Sequence, residues 1–150
     1  MGIWQSLLVK LGLSNGADRE PLRVFLLDDD VLRHDWFASR FSRDRLDAAF
    51  DPAEAVELLS SNTYDAIFLD HDLLPEHYHS EEYDDERTGY AVAAWLAGRP
   101  GSQAGATVIV HTRNADGALR MVELMRGAGL QVEHVPFPYL SPKIKNYWGR

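Results

Sequence analysis

The feature that most constrains this chain is the run Tyr64-Asp65-Ala66-Ile67-Phe68-Leu69, apolar from Ala66 onward and broken off by Asp70-His71-Asp72. A short run that is apolar without alternation marks a strand buried on both faces. Such strands lie in the middle of a sheet covered by helices on either side. Polar residues just past the carboxyl end of that strand stand where open α/β sheets bind their ligands. Asp70, His71 and Asp72 are therefore candidates for chemistry as well as for strand termination.

The flanking sequence repeats the pattern. Residues 22–27 form an apolar run ending in Asp28-Asp29-Asp30, and Trp36, Phe37 and Phe41 then recur at helical spacing over 31–42. A short strand near 46–50 leads to Asp51-Pro52, a helix N-cap followed by proline in the first turn, for a helix over 52–61. After the 64–70 strand, residues 73–88 make a long polar loop rich in Glu and Asp. Gly89 opens a helical pattern that stops at Gly98 and Pro100. Ala106–Val110 is a β-branched strand ending in His111-Thr112-Arg113-Asn114. Asp116 can cap a helix to about Arg126, Leu130–Val135 is the last strand, and the tail from Pro136 reads as irregular, basic and aromatic. The alternation gives about five βα units, hence a parallel sheet with helices on both faces.

Residues 1–21 stand apart. Ile3, Trp4, Leu7, Leu8 and Leu11 make a short amphipathic helix, and Ser14-Asn15-Gly16 and Pro21 make a linker, so residues 22–150 are expected to form the domain. A chain of 150 residues suffices for one domain with a real core. A net charge of −8 argues against bulk binding of nucleic acid, though not against contact with one nucleotide or RNA end. The absence of cysteine rules out disulfides and thiolate chemistry, and no apolar run approaches the length of a membrane span. A cytoplasmic location is expected, with any protein partner unidentified.

The order of elements resembles the receiver domain of two-component response regulators over roughly residues 23–137, which implies a flavodoxin-like α/β fold. Asp28-Asp29 stands where receivers hold an acidic Mg²⁺-binding pair, Asp70 where they hold the phosphoacceptor, and Thr112 where they hold a hydroxyl residue. The chain departs from receivers at three places. Val135-Pro136 occupies the position of their lysine, and Lys143 lies too far along to substitute. His71 follows Asp70 and His111 precedes Thr112, and the last helix is expected to be short or missing. These departures resemble the cyclic-phosphate processing receiver domains, which combine an Asp-Asp pair, Leu-Asp-His-Asp and His-(Ser/Thr)-x-Asn. Here those are Asp28-Asp29, Leu69-Asp70-His71-Asp72 and His111-Thr112-Arg113-Asn114. The resemblance implies action on cyclic phosphate ends of RNA or nucleotides.

The residues themselves suggest how. Carboxylates gathered at neighbouring strand ends are costly unless a hard cation neutralises them, so Mg²⁺ or Mn²⁺ is expected on Asp28, Asp29 and Asp70, with Asp30 left to cap the helix. Asp72 either ligates or orients His71. His71 and His111 are the candidate acid and base, or ligands for a softer metal. Thr112 and Asn114 are placed to orient phosphate or to cap the next helix, and Arg113 to clamp phosphate or lie solvated. His77 and His79 form a His-x-His in the acidic loop, expected mainly as part of a solvated lid. Tyr147 and Trp148 are expected to pack rather than stack on bases. Two functions remain open beside a non-catalytic metal-binding scaffold. One is a metal-dependent phosphoesterase with Asp70, His71 and His111 as catalytic residues; the other is a signalling module phosphorylated on Asp70.

Overall fold

The computed structural model describes residues 19–78 and 85–150. The helix expected before residue 19, and residues 79–84 of the acidic loop, His79 among them, lie outside the described residues. Five strands, β1 (Arg23–Leu27), β2 (Arg45–Ala49), β3 (Ala66–Leu69), β4 (Thr107–Val110) and β5 (Gln131–His134), pair in parallel in the order β2-β1-β3-β4-β5. Between and after them run α1 (Val31–Arg40), α2 (Pro52–Ser61), α3 (Gly89–Ala97), α4 (Ala115–Gly127) and α5 (Leu140–Trp148). This is the flavodoxin-like order, with its switch point between β1 and β3.

Local sequence explains the helix starts. Asp30 accepts from the amides of Leu32 and Arg33, Asp51 from Glu54 and Thr88 from Tyr90, each satisfying donors that the first turn leaves without partners. For α4 the cap is Asn114, which accepts from Gly117, and not the expected Asp116, which lies inside the first turn. Asn114 has the extended backbone that a cap needs and so starts the helix two residues earlier.

The sheet separates two apolar layers. Phe25, Leu27, Ile67, Leu69, Val108 and Val110 face α2, α3 and α4. Val24, Leu26, Phe68 and Ile109 face Phe37 and Phe41 of α1 and Leu140 and Ile144 of α5. Alternation along β1, β3 and β4 sends successive side chains to opposite layers, which is why these strands read as continuous apolar runs. Each buried Phe or Leu contributes about 1.5–3 kcal/mol.

The tail departs from the irregular segment expected of it. Phe137–Tyr139 form a turn of 3-10 helix, and Leu140–Trp148 form a nine-residue helix, short as anticipated but present. Leu140 and Ile144 lie one turn apart and are fully buried, and Trp148 packs on Phe68 with ring centroids 5.6 Å apart. Burial of that stripe overrides a proline at residue 142, which sits in the first turn where it costs no hydrogen bond. Among the described residues no helix is long and apolar enough to cross a membrane.

Candidate metal and phosphate site

The site is set by strand register. Leu27 pairs with Leu69, and Leu69 with Val110. The residues one step beyond these three are Asp28, Asp70 and His111, which therefore emerge side by side at the carboxyl ends of three adjacent strands. Each offers one donor atom within 4.8 Å of the others. Period-two alternation turns them toward the α1 and α5 layer, where the His111 ring lies 5.6 Å from that of Phe37 and 6.5 Å from that of Phe137. All three are buried.

Asp28 is held from several sides. Its Oδ2 accepts from His111 Nε2 at 2.7 Å and from Arg33 Nε at 2.8 Å, and its Oδ1 accepts from Arg33 Nη2 at 2.8 Å and from the Asp30 amide at 2.9 Å. Burial alone would raise the Asp28 carboxyl, but the hydrogen bonds from His111 and Arg33 outweigh it and hold it down at about 2. Asp70 goes the other way. Burial pushes its carboxyl up to about 6, helped by the charge of Asp28 and opposed by His111 and Arg33. Its Oδ2 accepts from Arg33 Nη2 at 3.0 Å and its Oδ1 from the His71 amide at 2.8 Å.

His71 and Asp72 form a separate pair. His71 Nδ1 lies 2.8 Å from Asp72 Oδ1, to which Asn114 Nδ2 also donates at 3.3 Å. Burial would raise Asp72, yet its bonds to His71 and Asn114 leave it lowered. Two glycines make room here. A Cβ on Gly117 would stand 2.6 Å from the His71 ring, and one on Gly89 would stand 1.8 Å from the backbone oxygen of Asp70. Gly89 also donates its amide to His71 O at 2.9 Å, fastening α3 to the end of β3. His71 Nε2 and His111 Nδ1 are buried without a hydrogen-bond partner.

A cavity of about 450 Å³ opens onto these strand ends, lined by Asp30, Arg33, Asp70, Asp72, His111, Thr112, Arg113 and Phe137. Thus Asp70, Asp72, His111, Thr112 and Arg113 meet at one cavity, whereas His71, Asp29 and Asn114 are not on its wall. Asp29 is partly exposed, 3.6 Å from Arg33, and outside the three-donor group. Thr112 Oγ1 accepts from the Asn114 amide, so the two shape the turn into α4 as well as flanking the site. His77 is corrected: it is buried, and its Nδ1 accepts from the amides of Leu73 and Leu74, which makes it an internal clasp of the loop and not part of a solvated lid. Lys143 is paired with Glu133 at 2.6 Å.

The residue that sequence reasoning missed is Arg33. A cation in the first turn of a helix opposes the helix dipole, so an arginine there needs an outside partner. That, three residues after an acidic triplet, was the available signal. Phe137 carried none, because its place at the cavity comes from the turn before α5.

The donor set fits a hard divalent cation. Two carboxylates and one imidazole within 4.8 Å suit Mg²⁺ or, with the nitrogen, Mn²⁺. The buried, raised carboxyl of Asp70 is a polar group that a cation would satisfy.

Solved structures similar to this one are response-regulator receivers. A response regulator from Burkholderia pseudomallei, solved with a phosphorylated aspartic acid, calcium ion and citrate, aligns at a TM-score of 0.58 and 18% identity, over 81% of this chain and 62% of that one. TrrA from Thermotoga maritima, in complex with Mg²⁺ and BeF, aligns at 0.57 and 19% over 83% and 97%. A CheY-like receiver from Methanospirillum hungatei aligns at 0.60 and 19% over 85% and 93%. These likenesses establish the fold. No curated protein matches the chain significantly. Residues 23–127, which include all three site segments, match the cyclic-phosphate processing receiver domain, and the chain belongs to that family.

Proposed function

We propose that this protein is a metal-dependent phosphoesterase that opens cyclic phosphates, of the 2′,3′ type found on RNA ends and nucleotides, in the cytoplasm. The observation that carries the reading is the convergence of Asp28, Asp70 and His111 donor atoms beside a cavity that also presents Arg33, Thr112 and Arg113. Asp70 and His111 for a cation and the guanidinium groups of Arg33 and Arg113 for phosphate oxygens thus line one cavity.

Asp28, Asp70 and His111 would hold Mg²⁺ or Mn²⁺, whose chemistry there is to polarise a phosphoryl oxygen and offset its charge. Opening the ring requires attack of water on phosphorus and departure of one ring oxygen, so a base must take a proton and an acid must return one. Arg113 and Thr112 bind and orient the non-bridging oxygens. Asp70 and His111 line the cavity and are in reach of a reactant there. His71 is the second imidazole of the reading. With Nδ1–H given to Asp72, its Nε2 carries the lone pair of a base, although that nitrogen is covered in this structure.

The test is turnover of 2′,3′-cyclic nucleotides and of RNA ending in a 2′,3′-cyclic phosphate, with Mg²⁺ or Mn²⁺ and after chelation. Metal-dependent ring opening, lost in Asp70→Ala and His111→Ala, is the expected result. His71→Ala decides whether that imidazole transfers a proton. No ring opening with any metal sinks the reading.

One observation favours a second function. Arg33 places a cation 3.0 Å from Asp70, and that cation would pair with a phosphorylated aspartate there. A stable mass increment on Asp70 after acetyl phosphate treatment would support the signalling module over the hydrolase.

A further inference from the structure

The acidic end of the sheet already contains a cation. Arg33 donates Nε and Nη2 to the two oxygens of Asp28 and Nη2 to Asp70, and its guanidinium lies 3.6 Å from Asp29 and from Asp30. Both oxygens of Asp28 and the Oδ2 of Asp70 are thereby committed. The remaining oxygen, Asp70 Oδ1, accepts from the His71 amide. A divalent ion on Asp28, Asp70 and His111 would stand within a few ångströms of the guanidinium, where two positive charges repel strongly in a buried setting.

We infer that Arg33 is the resident, displaceable cation of this site, exchanged for the divalent ion and turned by that exchange into a phosphate clamp. The inference rests on the metal reading above and adds to it the residue that couples metal to substrate. Three features carry it. First, α1 does not ask for the residue, because a cation in its first turn opposes the helix dipole. Second, Asp29 and Asp30 offer a second holding position 3.6 Å away at the outer side, so release from Asp28 and Asp70 does not strand the charge. Third, Arg33 lines the cavity and its side chain is 23% exposed, so a short swing brings it to a phosphate bound between Arg113 and Thr112. Planar guanidinium suits both duties, since carboxylate and phosphate accept the same two parallel hydrogen bonds. Without metal, Arg33 is held on the carboxylates; with metal, it is freed for substrate. Metal and phosphate therefore bind cooperatively.

The experiment is calorimetric titration of Mn²⁺ into wild type, Arg33→Ala and Arg33→Gln, followed by inorganic phosphate on each loaded protein. The expected result is Mn²⁺ affinity raised about tenfold or more in both variants, within the range typical of coupled sites. Phosphate affinity on the loaded variants should fall by a similar factor. Should either variant unfold without metal, a second measurement on the intact wild type serves: the ¹⁵N Nε–H signal of Arg33, followed as Mg²⁺ is added. It should shift saturably with the backbone amides of Asp28 and Asp70. Wild type that binds Mn²⁺ with variants of equal affinity, or an Arg33 signal unmoved while those amides shift, overturns the exchange and leaves the metal reading standing. Absence of Mn²⁺ binding in all three proteins overturns the metal reading and the exchange with it. Tighter Mn²⁺ with unchanged phosphate affinity overturns the clamp alone.

Discussion

Replacing Asp70 by asparagine should stabilise the metal-free protein at neutral pH. Asp70 is buried, and its carboxyl is raised from an ordinary value of 3.8 to about 6. A carboxyl raised in this way holds its proton more tightly in the folded chain than in the unfolded one. The stability it permits is therefore greatest below pH 3.8 and falls as pH rises through about 6. Two pH units at 1.36 kcal/mol each give a penalty of about 3 kcal/mol at pH 7.5 and about 1 kcal/mol at pH 4.5. Asp28 does not blur the comparison, because it is lowered to about 2 and its contribution is lost only as pH falls below 3.8. Urea unfolding in EDTA measures the difference: Asp70→Asn should exceed wild type by about 3 kcal/mol at pH 7.5 and about 1 kcal/mol at pH 4.5. In a domain of this size that is on the order of 6–12 °C in Tm at the higher pH. Added Mn²⁺ should close the gap by stabilising wild type, as expected for a ligand that binds only the folded chain. A variant less stable than wild type at pH 7.5 would refute the reasoning. It would mean that the bonds from Arg33 and the His71 amide outweigh the burial of the charge.

Other substitutions test the supports of the site. Asp28→Ala removes the partner that Arg33 and His111 share, but Arg33 keeps Asp70, Asp29 and Asp30, so a loss of about 1–3 kcal/mol by urea unfolding at pH 7 is expected. Gly89→Ala cannot be relieved by a rotamer change, because the obstacle 1.8 Å away is the backbone oxygen of Asp70. A loss beyond about 3 kcal/mol or failure to fold is expected, read by circular dichroism and expression. Gly117→Ala adds up to about 1 kcal/mol of helix propensity but pushes a methyl into the His71 ring, so a net loss of about 1–2 kcal/mol and shifted His71 ring signals in NMR should follow. Asn114→Ala removes the cap of α4 and one bond to Asp72, with an expected loss of about 1 kcal/mol in thermal or urea unfolding.

The sequence by itself determined the layer architecture, because its signals are local. Four-residue apolar runs such as Ala66–Leu69 and Thr107–Val110 can be satisfied only between two layers, and caps such as Asp30 and Asp51 mark where helices begin. It also marked the strand ends as the candidate site, since polar residues that stop a buried strand stand where open α/β sheets bind ligands. The tail escaped it because Leu140 and Ile144 are too few to advertise a helix before one knows that β3 and β4 leave a bare face for them. What only the tertiary structure decided was which polar groups meet. The pairing of Leu27 with Leu69 and of Leu69 with Val110 puts Asp28, Asp70 and His111 together, while the same strand ends send His71 to Gly117 and Asp72. Register and side-chain alternation choose between those outcomes, and both are set by long-range strand pairing that no local pattern encodes. Arg33 shows the same limit: its partners are five and thirty-seven residues away, and only the folded sheet brings them within reach of one guanidinium.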